Sequence, residues 1–264
     1  MTQVSNHLDH SILTDEIDRF LRSFLPNVIN INYLGQGACN HHWQIDTESQ
    51  SYIWRQFGPT PPGASRDNER QVLKQLQHFD WAPKLVLDRP EGLLFHAVTP
   101  MDTNISALKQ EQRQQLIDSI LTLWQQPIAV AAMDYSVLIH HYAQLAATYP
   151  EDKLKYLLDN LSHWKTEDFC LIHQDIHADN LVITDQGILL IDWEYTTLGN
   201  PWIDAVALDR MLKLSPTEKQ QLESYLPNFK THNKKNDHWS EMHRWLEALD
   251  QLWYAAQSSQ IVVE

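Results

Sequence analysis

Residues 171–195 read LIHQDIHADNLVITDQGILLIDWEY. Within eight positions they place His173, Asp175, His177, Asp179 and Asn180, side chains that move protons, orient hydroxyls or bind metals. A further carboxylate, Asp192, ends the apolar run that follows. Unpaired polar groups resist burial beside such a run, so the cluster calls for a chemical reason. Three readings are open. Any one of these residues alone could cap the end of a strand or helix. The alternation His173, Asp175, His177, Asp179 would turn four ligands to one side of an extended segment, as a zinc or iron site requires. No second His or carboxylate motif accompanies it. The third reading takes His173-x-Asp175, four residues, Asn180, an apolar hairpin and then Asp192, and its chemistry is phosphoryl transfer. Asp175 would orient a hydroxyl and accept its proton, while Asn180 and Asp192 hold Mg²⁺ on the phosphates. A hairpin between them returns Asp192 to the side of the loop, which accounts for the spacing.

The elements that must position this loop are legible in the hydrophobic periodicity. Ile17, Phe20, Leu21 and Phe24 lie on one face of a short helix over 15–24. NVININYLGQGACNHHWQIDTESQSYIWRQFG reads as three short strands, joined by a Gly-containing turn and a polar turn near Glu48–Ser51. After the loop TPPGAS, Asp67 is the expected N-cap of a helix that carries Glu69, Val72, Leu73, Leu76 and Phe79. KLVLD and GLLFHAV flank the turn RPEG as a hairpin. From Thr103 the pattern is helical, with one stripe over Leu116, Ile120, Leu123 and Trp124 and another over Leu138, His141, Tyr142 and Leu145. The hairpin 181–191, turning at Asp185-Gln186-Gly187, interrupts these helices, and more helices run from Asp204 to Trp253. Two regions are therefore expected: a β-rich part with one main helix over 1–98, and a helical part over 99–264.

Composition narrows the partners. The 264 residues are 43% hydrophobic and 20% charged, the proportions of a globular protein. A net charge of −14 argues against a nucleic-acid or anionic-membrane binder, both of which need a basic face. Cys39 and Cys170 have no metal-ligand spacing and suit a reducing compartment. The N-terminal MTQVSNHLDHSILTDEIDRF has no basic start and no continuous apolar core, and no apolar run approaches the roughly 18 residues of a membrane span. A cytoplasmic protein is expected.

The catalytic-loop spacing, followed by the hairpin and Asp192-Trp193-Glu194-Tyr195, resembles the aminoglycoside phosphotransferase and choline kinase family. The Asp-Trp-Glu-Tyr run is most similar to that of bacterial thiamine kinases. The resemblance implies an α+β, protein-kinase-like two-lobe fold, with a small antiparallel β-sheet N-lobe, a helical C-lobe, and ATP with Mg²⁺ between them. LGQGACN is similar to the family's phosphate loop, which implies Gly35 and Gly37 as nucleotide contacts; Gln36 and Cys39 depart from its usual glycine pair, hydroxyl residue and Asn. Arg55 stands where kinases carry a phosphate-pairing lysine, with Glu69 as its implied partner. The backbone of His96 and Val98 in LLFHAVTP would bind adenine. His173 and Asp204 would support the catalytic loop, Asp204 being equally readable as a helix N-cap.

Acceptors in this family are small hydroxyl-bearing molecules, many of them cationic. Thiamine is the first expectation, with choline, ethanolamine or an amino sugar as alternatives. Glu194 and Trp202 are the implied cation-pocket residues. Arg55 in place of lysine keeps open a nucleotide-binding module without catalysis.

Overall fold

A computed structural model describes residues 10–37, 39–101, 105, 108–146, 148–228 and 237–260. Ala38 of the glycine loop and Thr103, where the helical pattern was expected to begin, lie outside the described residues. The chain divides into two compact units. The first runs to Pro59 and resumes over Lys84–Val98; the second takes Thr60–Pro83 and everything from Thr99 onward.

The first unit is a five-stranded antiparallel sheet and one helix. In chain order its elements are α1 (His10–Arg22), β1 (Val28–Gln36), β2 (Asn40–Thr47), β3 (Ser51–Phe57), β4 (Leu85–Arg89) and β5 (Gly92–His96), and the strands lie in the order β1-β2-β3-β5-β4. The period-2 pattern turns Trp43, Ile45, Tyr52 and Trp54 to one face, with Trp43 opposite Trp54 and Ile45 opposite Tyr52. Helix α1 lays Ile17 and Leu21 on that face. Phe20 packs 5.0 Å from Phe24 and 5.4 Å from Trp54, ring centre to ring centre.

The second unit is mainly helical: α2 (Arg66–Gln75), α3 (Gln110–Trp124), α4 (Tyr135–Leu145), α5 (Glu151–Leu161), α6 (Trp202–Leu212), α7 (Pro216–Glu223) and α8 (His238–Gln260). Two small antiparallel pairs interrupt them: β6 (Cys170–Ile172) with β9 (Thr197–Gly199), and the hairpin β7 (Leu181–Thr184) with β8 (Gly187–Leu190). Among the described residues no helix is long and apolar enough to cross a membrane.

Local details depart from the sequence-based expectation. Ser65, not Asp67, caps α2, its hydroxyl accepting the Asn68 N–H at 3.2 Å. Asp67 sits in the first turn, where a negative charge suits the helix dipole. The inward stripe of α4 is Tyr135, Leu138, Ile139 and Tyr142, while His141 faces solvent. Segment Thr60–Pro83, expected with the β-rich part, packs in the second unit because its hydrogen bonds lie there. The Ser65 N–H donates to the Glu194 carbonyl at 2.8 Å and the Leu190 N–H to the Trp81 carbonyl at 2.9 Å. Asn68 bridges Ala131 and Thr196.

Gly92 allows β5 to lie close against β3: a Cβ there would collide with the Arg55 carbonyl and the Trp54 ring. Gly92→Ala is expected to cost about 2 kcal/mol or more of stability, measured as a lowered denaturation midpoint.

Candidate active site

The loop between β6 and β7 carries the candidate catalytic residues, and its start is fixed by α6. Asp204, fully buried in the first turn of α6, accepts the backbone N–H groups of His173 at 3.0 Å and Gln174 at 2.8 Å. The indole N–H of Trp124 on α3 adds a third bond at 3.2 Å. Burial pushes the Asp204 carboxyl up to about 6, although all three donors favour the charged form. The N-cap of α6 is Pro201, so Asp204 braces the loop and does not cap the helix. Gln174 takes a left-handed backbone, φ 68°, with its side-chain oxygen accepting from the Tyr135 hydroxyl at 2.9 Å. Non-glycine residues seldom adopt that conformation, and it persists where the surroundings hold it.

His173 has no exposed surface, and both of its ring nitrogens are engaged. Nε2 meets the Ile191 carbonyl at 3.0 Å, and Nδ1 lies 3.3 Å from the Asp175 N–H. This pattern fits a neutral ring protonated on Nε2, and burial lowers its pKa to about 4. A zinc- or iron-type site over His173, Asp175, His177 and Asp179 is thereby deprived of its first ligand. Among the described residues, no group of three or more His, Cys, Asp or Glu side chains is placed to hold a metal ion.

Asp175 receives the Asn180 amide at 2.9 Å and lies 3.6 Å from His177 Nε2. Burial works to raise its pKa. The His177 ring 3.6 Å away, the nearby imidazoles and the Asn180 amide together outweigh burial and hold the carboxyl below its ordinary range. Asp175 is therefore a carboxylate at neutral pH. Its proximity in turn raises His177. Sequence reading gave His177 no role beyond that of a metal ligand; its place two residues after Asp175 was the available signal.

Asn180 is buried and uses its amide N–H groups on the Asp175 carboxylate and main-chain carbonyl, both at 2.9 Å. This leaves its carboxamide oxygen as the atom that could coordinate a cation. The Ile191 N–H donates to the Asn180 carbonyl at 2.9 Å, which brings the following residue, Asp192, to the loop as the hairpin spacing predicts. Asp192 also has a left-handed backbone, φ 62°. A carboxamide oxygen and a carboxylate are hard oxygen donors of the kind Mg²⁺ takes, with phosphates and water completing its shell. The residues fit the ion.

In the first unit, Gly35 has φ 137° at a register shift of β1 against β2, a conformation that needs glycine, and the Gly37 N–H donates to the Asn40 carbonyl at 2.8 Å. Arg55 is buried on β3, its guanidinium 5.6 Å from the Phe57 ring centre and 5.9 Å from that of Phe95. His96 stacks on Tyr52, and its N–H donates to the Lys84 carbonyl at 3.0 Å. Val98 is exposed.

Glu69 and the two expected cation-pocket residues are interior in the second unit. Arg66 approaches Glu69 at 3.5 Å and Glu194 at 2.6 Å, and both carboxylates are buried. Trp202 is 3% exposed, donates its indole N–H to the Pro227 carbonyl and packs edge-on to Trp239. Glu194 thus has an internal cation and Trp202 a core position, neither of which suits a direct ligand contact. Burial is the main cause that raises Tyr142 on α4 and Asp250 on α8, and the charge of Asp175 adds to both; sequence reading gives Tyr142 only a place in the α4 stripe and gives Asp250 none.

The neutral, buried His173 has a pH signature. Its folded pKa is about 4 against an ordinary 6.5, so protons favour the unfolded chain as pH falls through that window. The stability it confers is full above 6.5 and lost toward 4. The melting temperature of the wild type minus that of His173→Asn is therefore expected to shrink as pH falls across this interval.

Comparison with known proteins bears on the fold and the family. No curated protein matches the chain in sequence. Choline kinase LicA from Streptococcus pneumoniae is 18% identical, with a TM-score of 0.73 over 94% of this chain and 92% of that one. A choline/ethanolamine kinase family protein from Mesorhizobium loti is 15% identical, with a TM-score of 0.69 over 95% and 87%. A spectinomycin phosphotransferase in complex with ADP and spectinomycin is 13% identical, with a TM-score of 0.60 over 93% and 98%. These likenesses establish the protein-kinase-like fold. Residues 30–245 match the phosphotransferase enzyme family, and the chain belongs to that family.

Proposed function

We propose that this protein is an ATP-dependent kinase for a small alcohol, with thiamine as the first candidate acceptor. The observation that carries the phosphotransfer reading is the Asp175–Asn180 bond at 2.9 Å, within a loop braced by Asp204 and joined to the Asp192 strand through Asn180 and Ile191. Asp175, ionised and held by Asn180, orients the acceptor hydroxyl. As the acceptor oxygen bonds to the γ-phosphorus and the bond to the departing diphosphate breaks, the hydroxyl proton passes to Asp175. A carboxylate with a lowered pKa is a weak base, so positioning is its larger contribution. Mg²⁺, when bound, neutralises phosphate charge, and the Asn180 oxygen and Asp192 are the groups that would hold it. Gly35 and Gly37 are the proposed phosphate-loop residues. Arg55 takes the role of the usual lysine. Val98 and His96 supply adenine contacts, the latter through its carbonyl because its N–H is taken.

Support for a cationic acceptor comes from the −14 charge and from the Asp175 carboxylate, whose charge adds to burial in raising both Tyr142 and Asp250. Asp250 is paired with Arg210 at 2.6 Å yet its side chain remains 47% exposed. Choline and ethanolamine form the second reading, favoured by the fold likeness to proteins described as choline and choline/ethanolamine kinases.

Incubation with MgATP and a panel of thiamine, choline, ethanolamine and amino sugars is expected to give phosphorylation of at least one cationic alcohol. Tight MgATP binding with no acceptor phosphorylated would favour a non-catalytic nucleotide-binding module. Asp175→Asn is expected to lower turnover by roughly 10²–10⁴ while nucleotide binding persists. Asp192→Asn is expected to weaken Mg²⁺-dependent binding. Asp250→Asn should raise KM for a cationic acceptor about threefold, the size of a partly exposed charge contact, and leave KM for ATP unchanged.

A further inference from the structure

Segment Thr60–Pro83 holds the chain on both sides of Asp192. Upstream, the Leu190 N–H donates to the Trp81 carbonyl at 2.9 Å; on the other side of Asp192, the Trp193 indole N–H donates back to the Leu190 carbonyl at 2.8 Å, and the Trp81 and Trp193 rings stack 6.0 Å apart. Downstream, the Ser65 N–H donates to the Glu194 carbonyl at 2.8 Å, and Arg66, the first residue of α2, places Nη1 2.6 Å from Glu194 Oε2. The Arg66 and Glu194 side chains are 10% and 6% exposed. Glu194 is two residues beyond Asp192, and the backbone between Ile191 and Trp193 takes the left-handed turn at φ 62°. Non-glycine residues adopt that conformation uncommonly, and fixed flanks help to hold it. A backbone bond fixes Leu190, and an indole bond with ring stacking fixes Trp193, whereas Glu194 depends on the Ser65 N–H and on its ion pair with Arg66. Removing Arg66 would take this cation from the buried Glu194, and removing the Glu194 charge would leave Arg66 the longer 3.5 Å contact with Glu69.

We propose that Arg66 and Glu194 are positioning residues whose buried ion pair sets the Asp192 carboxylate for the metal–phosphate complex. The inference rests on the phosphotransfer reading and goes beyond it: the first turn of α2 tunes metal affinity through Asp192 without touching nucleotide or acceptor. Groups behind a metal ligand commonly alter metal affinity by about 10–100-fold. Arg66 presents a planar fork that lysine lacks, so the two are not equivalent here.

The test is calorimetric binding of ADP to the full chain, with Mg²⁺ and with EDTA, in the wild type, Arg66→Met, Arg66→Lys and Glu194→Gln, each checked by its melting curve. The expected result is a loss of about tenfold or more in the preference for MgADP over metal-free ADP in Arg66→Met and Glu194→Gln. Metal-free binding should stay within about twofold, and Arg66→Lys should recover part of the loss. Glu194→Gln keeps the side-chain shape and carries the test if Arg66→Met does not fold. Equal weakening of ADP with and without Mg²⁺, or an unchanged preference with only a lowered melting temperature, would overturn the proposal. A wild type that binds MgADP no better than metal-free ADP would instead overturn the phosphotransfer reading, and this inference with it.

Discussion

Two consecutive backbone N–H groups, from His173 and Gln174, converge on the Asp204 carboxylate, and the Trp124 indole adds a third donor from α3. Successive peptide N–H groups in an extended chain point to opposite sides, so aiming both at one carboxylate requires a bend. The left-handed Gln174 accompanies that bend. Once it is fixed, His173 lies inward against the Ile191 carbonyl and Asp175 lies where Asn180 can hold it. The candidate site is thus tied to helix packing, because Asp204 is carried by α6. The cost is an ionisable group with no exposed surface, which shows as the rise of its carboxyl to about 6.

A second strained residue, Asp192, stands at the far end of the hairpin, and the two share a logic. Each is a polar residue at positive φ next to a segment whose backbone donors and acceptors are occupied elsewhere. For Gln174 the fixed partner is Asp204; for Asp192 the flanks are Leu190 and Glu194, both bonded to Thr60–Pro83. Strain of this kind is stable only where several independent contacts determine the same geometry. The hydrogen-bond pattern around Ser65, Asn68 and Trp81 explains why this segment belongs with the helical unit and not with the sheet that flanks it in sequence.

Much of this was legible before any coordinates. Period-2 runs defined the strands of the first unit, and the spacing of His173, Asp175, Asn180 and Asp192 defined the loop and its hairpin. The glycine at 35 marked a backbone state that other residues avoid, and it has one. What sequence could not supply was long-range pairing. The β6–β9 pair is only three residues per strand and has no periodicity to read. Ser65 and Asp67 are both good caps, and local propensity does not choose between them. Glu194 looked available to a ligand because its partner, Arg66, is 128 residues away. Trp202 looked like a pocket wall because an aromatic in sequence carries no mark of the side it faces.

The claim that this loop receives a metal–nucleotide complex can be read on the chain without knowing the acceptor. Amide hydrogen exchange, followed with and without saturating MgADP, is the most direct measurement. The account predicts slower exchange at 174–180 and 191–194 on adding MgADP, and much smaller changes there with ADP in EDTA. Unchanged exchange in both segments at saturating MgADP would contradict it.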